Sequence, residues 1–549
     1  MVTNENRSTS PGTRGRSAGG GFRSRHAYVG LAALTLASLA VRMFFFRAYT
    51  LAGSDCDGAA YMDLARNIAG GSGWVTNSLR FLFLLPPSLP QPDAHWSPLY
   101  PLLTSWSFAA FGPSFTAAKV VPLVFGALVP AVVCVLTAIM TRSRRAALIA
   151  GVVAVFHPTL VTWSLRIETE ILSVFFVGVV FALLFDARAS RRPYWLGLAL
   201  GLAYLAKYQS VLLWAPVVCF YVISNPWRVT LRRLAVAAAV FVAVILPWLI
   251  RNALVFGNPV YTDLSRNFIS YYPEFGGEPR YLSSLTMPVS TFAYLTHHTG
   301  TVLAYAKTNL RFLMSGFLEQ NRGSLLLVPF VLPGLVCVVR AWREWASALL
   351  FAGLLMAVIS ISIPQVRYAH VLIPFWIVLV AAGAGWLLER VGARRMLALP
   401  VTVVLLVALG DEARLAAHEA RDTGGVWTPS ANYCALEAQA AADFIQKHTL
   451  PSQAVFAPET FHYALLLDRN AIQIPFDEDA LLQLARRYDV RYMVITARDL
   501  HTRLPQWEDH LPAWAELVDV VSAPAVPRPA ANPHYSHVSE VRVYRLTTG

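Results

Sequence analysis

Residues 117–145 read AAKVVPLVFGALVPAVVCVLTAIMTRSRR. From Ala117 to Met140 the only charge is Lys119, and the run closes on Arg142, Arg144 and Arg145. As one helix, an apolar stretch of this length crosses the roughly 30 Å hydrocarbon core of a bilayer. The arginines behind it mark a cytoplasmic end, because Lys and Arg gather in cytoplasmic connections.

The pattern recurs on both sides. Apolar runs at Tyr28–Phe46, Ala146–Trp163, Ile171–Phe185, Tyr194–Leu205, Val211–Ile223, Leu234–Ile250, Leu325–Val339, Trp345–Ile363, Ala369–Leu388 and Met396–Leu409 bring the expectation to an α-helical polytopic membrane protein with about eleven transmembrane helices. The runs at Tyr194 and Val211 are short, and read as a broken pair or as tilted helices. Arginine clusters fall in every second connection. They lie at Arg14, Arg16, Arg23 and Arg25, then at Arg142–Arg145, Arg188–Arg192, Arg228–Arg233, Arg340–Arg343 and Arg390–Arg395. This alternation sets the N-terminus in the cytoplasm and, after an odd number of spans, the C-terminal region outside.

Composition agrees. Of 549 residues 56% are hydrophobic and 14% charged, with mean hydropathy +0.49, whereas soluble chains carry about 25% charged residues. A cytosolic enzyme, a disordered scaffold and a fibrous protein are excluded. The net charge of +13 comes from the cytoplasmic clusters, so no nucleic-acid partner is expected. Cys134, Cys219 and Cys337 lie within apolar runs. Cys56 and Cys434 lie in polar segments, with no spacing argument to pair them and no metal-ligand spacing.

Three parts follow. Residues 1–27 are a basic, disordered cytoplasmic tail. Residues 28–409 form the multi-span domain, with large external loops at 47–116 and 251–323. Residues 410–549 form an extracytoplasmic soluble α/β domain, in which Glu437–Lys447 and Ala480–Tyr488 read as helices and Ala454–Phe456, Tyr492–Ile495 and Val538–Leu546 as strands. From Asp411 onward there are 12 Lys/Arg against 18 Asp/Glu, the reverse of the tail. The first loop carries a helical stretch at Ala59–Ala69 and a semi-apolar one at Tyr100–Phe111, too short to span.

The chemistry concentrates outside the first span, where residues 54–65 read SDCDGAAYMDLA. Asp55 and Asp57 stand at a helix start by the membrane surface. A carboxylate there serves as a general base toward a hydroxyl, or Asp57 caps the helix that opens at Gly58; both roles can coexist. Lysine is confined to Lys119, Lys207, Lys307 and Lys447. Lys207 lies at the external end of a span, where an ionisable group is costly unless it has a role; snorkelling is the alternative. Arg251 and Arg367 are further phosphate candidates, or interfacial anchors. Arg166, Glu168 and Glu170 share the second external connection, as a cavity cluster or a solvated loop. His370 lies near Arg367. Adjacent His297 and His298 point in different directions on a helix and suggest no metal.

The acidic residue four before Tyr61, the Ala four after it, the break at Gly70, Gly71 and Gly73, and then His95-Trp96-Ser97-Pro98-Leu99-Tyr100-Pro101 resemble the first external loop of GT-C class glycosyltransferases. The nearest look is to the protein O-mannosyltransferases, the lipid A aminoarabinose transferase and related bacterial polytopic transferases. Residues 201–207 (GLAYLAK), 247–252 (PWLIRN), 256–259 (FGNP) and Arg367-Tyr368 are similar to recurrent features of that family, so the resemblance covers most of the chain.

It implies an inverting transfer of a sugar from a polyprenyl-phosphate carrier to a glycan, lipid or protein acceptor outside the cytoplasm, in a bacterial plasma membrane. The first-loop acidic residue would be the base, with Tyr61 and His95 in the pocket. Many members carry an Asp-Glu pair there; here Asp57 is followed by Gly58 and Asp55 lies two residues earlier, so Asp57 ranks first and Asp55 second. A phosphate leaving group needs no protonating acid if cations neutralise it, which suits Lys207 with Arg251 or Arg367. No cofactor is named, and the need for a divalent ion is left open. The rival class is a lipid or glycan transporter or flippase, which would need polar groups deep within several spans. A non-enzymatic assembly factor survives only if the first-loop carboxylates are structural.

Overall fold

The computed structural model describes residues 25–46, 56–80, 82, 85–186, 192–264, 268, 271–272, 290–321, 323–391, 395–422, 429–523 and 540–547. Asp55, residues 1–24 of the tail and the side chains of Cys56 and Cys434 lie outside them.

All eleven apolar runs are helical. Among the described residues, five helices are long and apolar enough to cross a membrane alone: Arg25–Phe46, Phe115–Thr141, Trp227–Phe256, Trp342–Ile361 and Val366–Arg390. A sixth span results if the pair Thr299–Asn321 and Leu325–Arg340, bent by 105°, counts as one. Of the remaining runs, Glu170–Phe185 is unbroken but only 16 residues long, the run from Met396 lies in the continuous helix Arg395–Asp422, and others are interrupted. The run from Ala146 divides into Arg144–Phe156 and Pro158–Trp163, since a proline ring disfavours helical geometry in the residue before it. Arg192–Ala206 stops at Lys207, and a 3₁₀ turn Tyr208–Leu213 leads into Trp214–Ser224, so the short runs form a broken pair. Thr299–Asn321 was not read as a helix from sequence; Lys307, Arg311 and Glu319 break its hydropathy.

The protein is an integral membrane protein by these apolar helices, whose outer faces stay uncovered: Leu254, Leu332 and Val339 are among the most exposed side chains. At the arginine-rich turn, Arg142 takes the left-handed conformation (φ 56°) and the Ser143 hydroxyl accepts the Ala146 N–H, so one helix ends and the next begins within three residues. Helix Arg192–Ala206 lies close against Trp227–Phe256 through Gly197 and Gly201. A Cβ at Gly197 would come within 2.4 Å of the Ala237 carbonyl oxygen, the small-xxx-small contact of membrane helices.

The C-terminal part carries both helices and strands, and its sheet is not closed on itself. Its sheet holds β2 (Ser78–Leu79), β4 (Ala454–Ala457), β5 (Asn470–Gln473), β6 (Tyr492–Thr496), β7 (Ala515–Ser522) and β8 (Glu540–Leu546) in the order β2-β5-β4-β6-β8-β7. β2 belongs to the first external loop and pairs parallel with β5, Ser78 opposite Ala471. Arg66 reaches Asp468 at 2.9 Å and the Tyr488 hydroxyl donates to the Pro86 carbonyl at 2.7 Å. The division at residue 410 is therefore crossed by a shared sheet. In the same loop β1 (Val75–Thr76) pairs antiparallel with β3 (Gln91–Pro92). Buried Asp63 pins it, accepting from Thr76 Oγ1 at 3.0 Å, the Asn77 N–H at 2.7 Å and Arg66 at 3.1 Å.

Candidate active site

Beneath this loop lies a cavity of about 820 Å³. Helix Cys56–Ala69 brings Asp57 to it in its first turn. The helix Glu170–Phe185 and the connection before it supply Glu168 and Glu170, and the helix break supplies Lys207. Arg367 and Tyr368 come from the 3₁₀ turn Val366–Leu372. Tyr61, His95 and Arg166 line the same space. Eight residues singled out from sequence thus meet in one cavity.

Its centre is Arg367. One guanidinium nitrogen donates to Asp57 Oδ2 at 2.5 Å and the other to Glu168 Oε1 at 3.3 Å. Nε donates to Gln365 Oε1 at 2.6 Å and lies 3.7 Å from Glu170 Oε1. Lys207 Nζ donates to the same Glu170 oxygen at 2.8 Å and sits 4.4 Å from the Tyr368 ring centre. Three carboxylates therefore face two cations at low exposure: side chains are 2% exposed at Glu168, 3% at Glu170, 16% at Arg367, 17% at Lys207 and 23% at Asp57. Charges this sheltered are tolerable only when paired. The Arg166 guanidinium stacks 4.3 Å from the Trp163 ring centre.

Two expected residues lie elsewhere. Arg251 does not line the cavity; it donates to the carbonyls of Asp93 at 2.7 Å and Trp74 at 3.1 Å. It is a clamp on the segment carrying His95 and Trp96, because an interfacial guanidinium is satisfied as well by backbone oxygens as by phosphate. His370 is buried behind the wall near Glu170, its ring 5.0 Å from that of Trp163. Asp55 lies outside the described residues.

His95 Nδ1 hydrogen-bonds Asp263 Oδ1 at 2.8 Å. Asp93 accepts the Trp96 N–H at 3.1 Å, and burial, reinforced by the neighbouring Asp263 charge, pushes its carboxyl up to about 6. Asp263, Arg80 and Phe461 were not legible from sequence. Phe461 reaches the cavity from the C-terminal part, with no local motif to mark it.

The carboxylates do not fit a divalent ion as arranged. Asp57, Glu168 and Glu170 turn toward the Arg367 guanidinium, and among the described residues no group of three His, Cys, Asp or Glu side chains could hold a metal.

Residues 92–250 match the family described as dolichyl-phosphate-mannose-protein mannosyltransferase. No curated protein matches significantly in sequence. ArnT from Cupriavidus metallidurans, solved bound to undecaprenyl phosphate, superposes over 95% of this chain and 98% of its own, with a TM-score of 0.55 at 13% identity. The chain has the GT-C glycosyltransferase fold. A second GT-C structure agrees. The Archaeoglobus fulgidus oligosaccharyltransferase AglB, in complex with an inhibitory peptide and a dolichol-phosphate, matches over 86% of this chain and 70% of its own, with a TM-score of 0.56 at 14% identity. The fold found agrees with the resemblance drawn from the first-loop residues.

Proposed function

We propose that the protein is an integral-membrane glycosyltransferase that moves a sugar from a polyprenyl-phosphate carrier to an acceptor hydroxyl on the extracytoplasmic side, with inversion and with Asp57 as general base. The observation that carries this reading is the Asp57–Arg367–Glu168 cluster, completed by Lys207 on Glu170, inside one cavity. The lipids named with the ArnT and AglB structures support a polyprenyl-phosphate donor. The alternating arginine clusters support about eleven spans, a cytoplasmic N-terminus and an external C-terminal part.

In this reading the donor phosphate draws Arg367 partly away from Asp57. The acceptor oxygen forms its bond to the anomeric carbon as its proton passes to Asp57, and the bond from that carbon to the phosphate oxygen breaks. The phosphate leaves with one more negative charge than it carried in the donor. Lys207 and Arg367 take up that charge, which grows only in the transition state. Glu168 and Glu170 keep the two cations in place and near neutral in sum.

The test is transfer from a polyprenyl-phosphate sugar by purified wild-type and Asp57→Asn proteins. Asp57 lies within the first turn of its helix rather than at its cap, and Asn has the same shape and can still accept from Arg367, so the variant should fold and bind donor while transfer falls by about 10² to 10⁴. Full transfer by Asp57→Asn removes the base from this position.

A further inference from the structure

The helices Arg192–Ala206 and Trp227–Phe256 lie side by side and run in the same direction, since Gly197 packs on Ala237 and Val240 while Gly201 packs on Phe241 and Val244. Arg192 stands five residues before Gly197, and Arg232 five before Ala237. The two helix starts, with Arg192, Arg228, Arg232 and Arg233, therefore share one level of the membrane, the one that the arginine clusters assign to the cytoplasm. We infer that these paired helix starts bind the phosphate headgroup of an anionic lipid in that leaflet.

The first reason is an unbalanced charge. A helix N-terminus is partly positive through its unpaired N–H groups, and Asp or Glu in the first turn ordinarily offsets it. Neither helix has an acidic residue there, and the longer one has no side-chain cap. Arginines stand in their place. Between Asp186 and Asp263 the sequence holds no Asp or Glu at all.

Arg192 supplies the second reason. It is only 8% exposed, yet its Nε and Nη2 are buried without a hydrogen-bond acceptor. The carboxylate beside it, Asp186, is 41% exposed and stays 3.6 Å from Nη2. The charge of Arg233 acts on Arg192 as well. Arg233 itself donates to Asn225 Oδ1 at 2.9 Å and lies 5.8 Å from the Tyr221 ring centre. Two neighbouring guanidiniums thus have one loosely held carboxylate between them. Retention of the connection in the cytoplasm requires arginines, but not one buried without an acceptor. A phosphodiester brings both the missing oxygens and the missing negative charge.

The rim identifies the source of the phosphate. Tyr194 and Trp195 in the first turn of one helix and Trp227 at the start of the other are more than half exposed, as are Val222 and Leu231 beside them. Exposed Trp and Tyr mark headgroup depth, and the apolar side chains give acyl chains a surface to lie on. Basic pockets between spans on the cytoplasmic side suit anionic headgroups.

The experiment is native mass spectrometry of the delipidated full-length protein, titrated with phosphatidylglycerol and, separately, with phosphatidylcholine. The expected result is one phosphatidylglycerol held at least about tenfold tighter than phosphatidylcholine. Arg192→Gln and Arg233→Gln should each reduce that preference about tenfold, and Arg192→Lys should keep part of it, since Lys retains the charge and loses the planar fork. Arg233 is less buried than Arg192, so its variant carries the test if Arg192→Gln does not fold. Arg340→Gln, on the exposed end of another helix, should change nothing. Equal binding of the two lipids overturns the inference, as does an undiminished preference in both Gln variants. Equal loss in Arg340→Gln would reduce the effect to diffuse surface charge, and loss of the lipid adduct in millimolar inorganic phosphate would assign the site to a free anion; either result also overturns it.

Discussion

Arg367 and Asp57, 310 positions apart in sequence, are joined by a hydrogen-bonded ion pair of 2.5 Å. The proposed base is thus engaged by the cation proposed to receive the leaving phosphate. Arg367→Gln removes the cation that serves both the base and the phosphate. It should lower single-turnover transfer at saturating donor by about 10² or more and also weaken donor binding. Donor titration with single-turnover rates checks it; wild-type values in both would detach Arg367 from the reaction.

Lys207 distinguishes catalysis from anchoring. If its ammonium stabilises the departing phosphate, Lys207→Met should slow transfer at saturating donor, and Lys207→Arg should retain part of the rate because its planar donors sit differently. A snorkelling lysine predicts equal activity and a melting temperature at least as high in the Met variant. Glu170 complicates only the stability arm, since Arg367 Nε at 3.7 Å remains its second cation.

Asp93 gives a pH signature. Its carboxyl titrates near 6 in the folded protein, raised by burial and then by Asp263, against about 3.9 in an unfolded chain. Below about pH 4 it is neutral in both states, and the preference of the fold for the neutral acid is fully present. That contribution is lost as pH rises through 6, by about 3 kcal/mol at most. Asp93→Asn cannot ionise, so its melting temperature should fall less than that of wild type between pH 4 and 7. Parallel pH profiles for the two proteins would contradict this.

The orientation is open to direct measurement. A reporter fused after Leu409 should be exposed outside the cytoplasm, and one inserted at Arg191 should be cytoplasmic. Reversed signals would invert the topology and put the proposed donor on the wrong leaflet.

The helices were legible because a bilayer forces backbone polar groups to pair within each segment, leaving long apolar runs in the sequence. The gathering at the site was partly legible for a related reason. An ionisable side chain such as Lys207 or Glu170 stands out where charge is costly. Arg251 shows the limit, since composition cannot tell whether a guanidinium faces phosphate or the carbonyls of Trp74 and Asp93. Helix Thr299–Asn321 was obscured by its charges. Phe461 and β2 were invisible for another reason: a two-residue strand has no periodicity, and its partner lies far along the chain.

That separation has a consequence for biogenesis. The Asn77 side chain donates to Asn470, 393 positions later, and β2 waits for the same distant segment before it has a neighbour. At synthesis rates of about 5 to 20 residues per second, the first loop stands without its partner strand for roughly 20 to 80 seconds after it emerges. Until then Phe461 is absent from the wall beside His95 and Trp96. The nascent chain can thus be fully inserted in the membrane while its reaction chamber is still unroofed, and the last part made is the part that closes it.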